Sequence, residues 1–200
     1  MLDLYTWTTP NGIKPLILLE ELGLEYETHW VNIGKGQQFE EEYLRVNPNA
    51  KIPALADDVT TVFESGAILV YLAEKTGKFL PKSGQERASA LSWLFFQVAG
   101  VGPMFGQLGW FLRAEQKDPF AIERYRKESE RLYAVLDKRL SQAPYLAVEY
   151  SIADMATFDW AKGYEHLGIS PGSIPHVREW IDRVAERPAV QRAMAKKPAR

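Results

Sequence analysis

Residues 5–22 read YTWTTPNGIKPLILLEEL, and this stretch decides the fold. Ahead of it and into it, alternation runs from Leu2 to Trp7. Leu2, Leu4 and Thr6 fall on one face and Asp3, Tyr5 and Trp7 on the other, which predicts a strand. Hydroxyls, a proline, an asparagine and a glycine then mark a turn. The apolar run PLILLEEL has helical spacing and stops at Gly23, a residue suited to the left-handed position after a helix. Read from their types alone, Thr9 belongs to a hydroxyl-stabilised turn and Asn11 caps the helix. That cap sets Pro15 at the fourth helical position, whereas proline fits best at the first. Tyr5 and Trp7 are assigned to packing.

Outward from this unit the periods stay mixed. YETHWVNI (26–33) is rich in β-branched and aromatic residues, a second strand. GKGQ is a turn, and QFEEEYLRVN is a short helix ended by Asn47 and Pro48. KIPALADD and TTVFES are short extended runs joined at DDVT. SGAILVYLAEKTG (65–77) is a helix with Ser65 as N-cap and Gly77 after its end. The order is βαβα-ββα.

From about Gln85 the strand signal is absent. FLPKSGQE (79–86) is a linker. The helix ERASALSWLFFQVAG is expected to break near Gly100, Gly102 and Pro103. Another starts at Pro119 and is closed by Pro144. A third starts at Ser151, with Asp154 three residues on, close to a capping box. IPHVREWIDRVAERP is the last clear helix, ended or kinked at Pro188. The expected fold is therefore α/β plus all-α: a small sheet domain over residues 1–79 and a helical domain over 86–200.

Composition narrows the chemistry. The chain has 200 residues, 46% hydrophobic and 25% charged, with a net charge of −2, so a packed core is expected and no nucleic-acid footprint. No apolar run is read as long enough to span a bilayer, and the start MLDLYTW lacks signal-peptide features, so the expected address is cytoplasmic. There is no cysteine, which excludes disulfides, protein thiolates and Cys-type zinc sites. The histidines at 29, 166 and 176 are scattered, and no metal is expected. The glycines in GVGPMFGQLGW (100–110) follow no strand, so they are read as close-approach positions between helices, not a dinucleotide loop.

The element order, with KIPAL (51–55) and FESGAILVYLAEK (63–75) where they fall, resembles the glutathione transferases over essentially the whole chain. The resemblance implies a thioredoxin-like first domain and a helical second domain. TPNG (9–12), GKGQQF (34–39), VGPMFGQ (101–107) and AIERY (121–125) narrow it to the bacterial Nu class, whose members include glutathione-dependent disulfide-bond reductases.

Glutathione carries two carboxylates, an ammonium and a thiol, and the resemblance distributes these over named residues. Ser65 and the helix start behind it are to hold the γ-glutamyl carboxylate, with Glu64 taking the ammonium. A cis Ile52–Pro53 peptide is implied, with the Ile52 backbone open to the ligand. Gln38, with Lys51 beside it, is to reach the glycyl carboxylate. Arg124 is to contribute to a ligand carboxylate, from the partner subunit of a homodimer; read from its spacing alone, it is a surface pair with Glu128. Thr9 and Asn11 are to steady the thiolate. The implied function is a cytoplasmic thiol–disulfide oxidoreductase with weak glutathione transferase and peroxidase activity, with glutathione as co-substrate and a small disulfide or electrophile as partner. A general transferase conjugating electrophiles is the alternative enzyme, and a docking module that keeps the fold is the non-enzymatic one.

Overall fold

The computed structural model describes residues 1–198. Strand β1 (Leu2–Thr6) leads through Trp7–Thr9 into helix α1 (Pro10–Leu22). Strand β2 (Tyr26–Trp30), two short 3-10 turns (Ile33–Lys35 and Gln37–Phe39) and helix α2 (Glu41–Leu44) follow. Strands β3 (Ala54–Asp57) and β4 (Thr60–Phe63) and helix α3 (Ser65–Thr76) complete the βαβα-ββα order. The sheet order is β2-β1-β3-β4, parallel between β1 and β2 and antiparallel elsewhere. Leu2, Leu4 and Thr6 are buried, as the alternation predicts. Gly23 and Gly77 end α1 and α3 in the left-handed conformation that costs glycine no Cβ clash.

The strand registers place the functional segments. Thr6 ends β1 opposite Trp30, the end of the parallel β2. Tyr5 faces Ala54, the start of the antiparallel β3, and Ala54 faces Phe63, the end of β4. The segments after β1, after β2, before β3 and after β4 thus leave the sheet at one end. These are the 7–12, 32–39, 47–53 and 64–66 stretches.

The second part of the chain is helical. Helices α4 (Gly84–Phe96) and α5 (Gly102–Arg113) join through a π turn at Gln97–Val101. The expected break near Gly100 is thus a widened turn in a continuous helix, because Pro103 falls in the first turn of α5, where a missing N–H is tolerated. The run Gly84–Arg113, 30 residues, is by length and composition long and apolar enough to cross a membrane, against the expectation that no run would reach. In this unit it packs on α6 (Pro119–Leu140) and α7 (Ile152–Ala161), with 33% of its apolar window buried. A Cβ on Gly100 would lie 3.3 Å from the Leu132 side chain of α6, and one on Gly106 3.3 Å from Trp160 of α7, which accounts for the small residues. The capping box at Ser151 and Asp154 is formed.

Helix α8 (Pro175–Ala185) is not the last. Pro188 opens a further helix, α9 (Pro188–Ala195), as its first residue. That helix lies on α1, held by Arg187 to Glu21 at 2.5 and 2.9 Å and by Arg192 to Glu20 at 2.8 Å. The compact units are accordingly Met1–Lys82 with the chain from Arg187 onward, and Ser83–Glu186. The helical domain expected over 86–200 stops short of α9.

Candidate functional site

At the shared end of the sheet, α1 begins two residues earlier than an Asn11 cap would allow. Thr9, in extended backbone, is the N-cap, and its Oγ1 accepts the Gly12 N–H at 3.2 Å. Pro10 takes the first helical position and Asn11 the second, so Pro15 is a buried interior residue. The preference of proline for a helix start is satisfied by Pro10. The turn is held from behind, because Thr6 Oγ1 donates to the Gly12 carbonyl at 2.8 Å inside the core. Glycine is required there: a Cβ on Gly12 would lie 2.0 Å from the Trp7 carbonyl oxygen and 2.5 Å from Thr6 Oγ1. The first turn of α1 carries no acidic residue, so nothing there offsets the partial positive charge of the helix start. Thr9 Oγ1 accepts the cap bond and retains its own proton for donation.

The second helix start differs from its sequence reading. Glu64, not Ser65, is the N-cap of α3, at φ 71° and ψ 121°, and it makes no side-chain cap bond among the described residues. That backbone is a strained one for a residue with a Cβ, of order 1–3 kcal/mol. Ser65, the first helical residue, is 7% exposed and lies one position past the cap. Ser65 Oγ accepts a hydrogen bond from Lys14 Nζ at 3.2 Å.

Lys14 is the residue the sequence reading missed. Its side chain is 2% exposed on α1, and burial pushes its ammonium down to about 7, with the charge of Glu64 opposing the shift. One signal was available: a single lysine stands in a segment otherwise apolar from Ile13 to Leu19, on the helical stripe of Leu18.

The loop before β3 is built by Asn47, which is buried. Its amide donates to the Lys51 carbonyl at 2.6 Å and accepts from the Asn49 N–H at 2.9 Å. Tyr43 adds a second donor to the Lys51 carbonyl at 2.6 Å. The Ile52–Pro53 peptide is cis. Ile52 lies outside the β3 ladder, and its N–H and C=O make no backbone hydrogen bond among the described residues. The Lys51 side chain is exposed. Gln38 sits in the Gln37–Phe39 turn, and its side-chain Oε1 is buried without a hydrogen-bond partner among the described residues. Tyr5 stacks on His29 at 4.6 Å and packs on the Val31, Tyr43, Ala54 cluster, a packing role. His29 also bonds Asp3 at 2.8 Å, and with Glu27 the three offer ligand atoms within 4.8 Å of one another.

Arg124 belongs to the helical unit. Its i,i+4 pair with Glu128 is not formed, because Glu128 is held bidentately by Arg131 at 2.7 and 2.8 Å. Arg124 lines an open groove of about 700 Å³ with Met104, Phe120 and Tyr125.

Two family models match the chain: the N-terminal domain of glutathione S-transferase over residues 1–74 and its C-terminal domain over residues 98–188. The disulfide-bond oxidoreductase YfcG of Escherichia coli is 48% identical over 205 residues, covering 98% of this chain and 95% of that protein. The E. coli disulfide-bond oxidoreductase YghU is 44% identical over 212 residues, covering 96% and 73%. Among solved structures, a glutathione transferase from Pseudomonas putida with one glutathione disulfide bound per subunit superposes with a TM-score of 0.91 at 41% identity, covering 97% of this chain and 90% of that one.

Proposed function

The chain belongs to the glutathione S-transferase family, and from that membership we propose that it is a glutathione-dependent thiol–disulfide oxidoreductase of Nu-class type. The observation that carries the proposal is Thr9 at the start of α1: a hydroxyl with a proton to give, at an uncompensated helix N-terminus, in a chain with no sulfhydryl of its own. The thiol comes from glutathione. Lowering it from about 8.5 to about 6.5 takes roughly 2.7 kcal/mol of preference for the anion. A hydrogen bond to a charged group supplies about 1.5–3 kcal/mol. The helix end adds about 0.3–1, and up to ~2 in a partly buried site. One donor and the dipole are enough, and no general base is called on. Asn11, in the same first turn, is the second thiolate residue.

The rest of the tripeptide spreads along the shared end of the sheet. Its backbone pairs with the unbonded N–H and C=O of Ile52 beside Pro53. The γ-glutamyl carboxylate lies at Ser65 and the uncapped N–H groups of α3, with Glu64 accepting from the ammonium. Gln38 is to donate from its amide Nε2 to the glycyl carboxylate, with the exposed Lys51 as a countercharge. Arg124, free of its expected pair, serves a ligand carboxylate across a homodimer. The exposed Phe39, Phe63, Phe95 and Trp110 suit self-association.

The reaction proceeds in two exchanges. The bound thiolate attacks one sulfur of the substrate disulfide, forming a mixed glutathione disulfide and expelling the other sulfur as a thiolate. A second glutathione thiolate attacks the mixed disulfide, giving glutathione disulfide and the second substrate thiolate. Two glutathione thiols are oxidised and one disulfide is reduced to two thiols. Such chemistry needs no metal and belongs in a glutathione-reduced compartment, the cytoplasm. YfcG and YghU are named disulfide-bond oxidoreductases, and the Pseudomonas relative holds the oxidised product of this scheme, which is why reduction is preferred to conjugation.

Retention on immobilised glutathione followed by turnover of 2-hydroxyethyl disulfide tests the reading. Turnover is expected. Retention with conjugation of an aryl halide but no disulfide turnover would make the protein a general transferase, and no retention would leave a docking module.

A further inference from the structure

We propose that the Asn11–Gly12 peptide is a modification site guarded by the Thr9 cap: when the first turn of α1 opens, the Gly12 nitrogen attacks the Asn11 side chain and converts it to an aspartate or an isoaspartate, which discharges the helix start. The modification follows from the geometry of the turn alone. Its effect on turnover rests on the thiolate role given to Asn11 above.

The lability lies in the sequence. Asparagines stand at 11, 32, 47 and 49, and Asn11 alone is followed by glycine. Glycine has no side chain to shield its nitrogen and has the freest backbone, so it lets an asparagine close an imide ring most readily. Ile33 and Ala50 hinder the same attack after Asn32 and Asn49, and Pro48 after Asn47 has no N–H to lose. The fold admits no slower neighbour at position 12, because a Cβ there would lie 2.0 Å from the Trp7 carbonyl oxygen. An asparagine placed for the thiolate thus has to precede a glycine placed for packing.

The closed turn holds the reaction off. Ring closure needs the Gly12 nitrogen to swing beside Asn11 Cγ, a rotation about the Asn11 Cα–C bond that leaves the helical region. Asn11 is the second residue of α1 and Gly12 is buried behind it. The Gly12 N–H is donated to Thr9 Oγ1 at 3.2 Å, and the Gly12 carbonyl accepts from Thr6 Oγ1 at 2.8 Å. The Ile13 N–H bonds the Thr9 carbonyl at 3.0 Å. Gly12 is therefore pinned on both sides, and the Thr9 bond is the one on the attacking nitrogen itself.

Once the turn opens, the Gly12 nitrogen gives up its proton and bonds to Asn11 Cγ. The bond from Cγ to the side-chain nitrogen breaks, and ammonia leaves with that proton. Water then opens the imide at one carbonyl or the other. One water enters, one ammonia leaves, and nothing is oxidised or reduced. Either product brings a carboxylate into a first turn that carries no acidic residue. The carboxylate takes up the helix-end charge that the thiolate would meet, and it repels the thiolate as a like charge. An aspartate in a first turn also favours the helix, so activity is lost without loss of the fold.

The test is peptide mapping by mass spectrometry after incubation at pH 8 and 37 °C. In the folded protein, Asn11 is expected to convert more than about tenfold more slowly than in the same chain held in guanidinium chloride, since it waits on local opening. Thr9→Ala strips the acceptor from the Gly12 N–H, and conversion is expected to be about fivefold faster, the factor that goes with a cap of about 1 kcal/mol. Thr9→Ser should match the wild type, and Asn32 and Asn49 should stay intact as internal controls. Conversion in the folded protein as fast as in denaturant, or an unchanged rate in Thr9→Ala, would overturn the guarded site and leave the glutathione reading untouched. If Thr9→Ala does not fold, the wild-type comparison decides. Asn11→Asp is expected to lose about tenfold in disulfide turnover at pH 7, with an unchanged or raised melting temperature. Full turnover in Asn11→Asp would overturn the discharge step through the thiolate role of Asn11, a failure of the function reading that the mapping does not share.

Discussion

Thr9 and Gly12 close the first turn of α1 on each other, the Thr9 hydroxyl oxygen accepting the Gly12 N–H at 3.2 Å. The same hydroxyl is the proposed donor to the glutathione sulfur, and one oxygen serves both because it accepts on one side and donates on the other. Thr9→Ala is therefore expected to raise the kinetic pKa of disulfide turnover by about one unit. The rate loss should be larger at pH 6.5 than at pH 8.5, with glutathione affinity less affected. Thr9→Ser should restore the profile. A pH–rate series on the three proteins checks this. An unmoved profile with weakened affinity would reduce Thr9 to a binding residue.

Gly12→Ala is expected to be the most damaging single-methyl change in the sheet unit. The new methyl carbon would sit 2.0 Å from the Trp7 carbonyl oxygen, which belongs to the backbone and has little room to yield. A loss of about 3 kcal/mol or more is expected, at or beyond the upper end of ordinary overpacking. Urea denaturation should show it as a lowered midpoint, and loss of soluble expression would be the extreme form.

Lys14→Met should stabilise the protein at neutral pH. Between pH 7 and the ordinary lysine value of 10.5, the unfolded chain keeps a proton on Lys14 that the folded chain has shed. Stability then climbs with pH, by up to about 1.4 kcal/mol per pH unit for one group. Replacing the buried ammonium by a side chain of similar volume is expected to gain about 2 kcal/mol at pH 7 and to flatten that climb. Melting temperatures of both proteins from pH 6.5 to 9.5 measure it. Equal slopes would show that Lys14 is not the titrating group.

Asp154→Ala should unsettle the helical unit. The carboxylate is 0% exposed and accepts from the Leu146 and Ser151 N–H groups and from Trp180 Nε1, at 2.9–3.0 Å. Removing it strands three buried donors, each worth about 1–3 kcal/mol. A total loss of about 3–5 kcal/mol is expected. Asp154→Asn, which keeps one acceptor oxygen, should lose less. Calorimetric melting of the two variants decides it.

The sheet unit was legible because its signals are local. Alternation in LDLYTW, the glycines after α1 and α3, and the short runs around KIPAL each act within a few residues. Helix starts were less legible. Asn11 and Ser65 are good capping residues by type, yet Thr9 and Glu64 hold the cap positions. The Thr6–Gly12 bond fixes where α1 begins, and a strained backbone at Glu64 fixes where α3 does. Both are tertiary matters that override capping preference. Lys14 escaped notice because its partner, Ser65, is 51 residues away, and only the folded sheet brings them together. Pro188 read as a stop because proline can end one helix and open the next, and the choice was made by the surface of α1.

The bond between Arg187 and Glu21 spans 166 residues, and it ties the first helix to the last. During synthesis, α1 emerges early and waits for its outer cover until the whole helical unit has been made. The sheet unit is therefore completed late although most of it is translated first, and a nascent chain paused between the two would present the apolar outer side of α1 to chaperones.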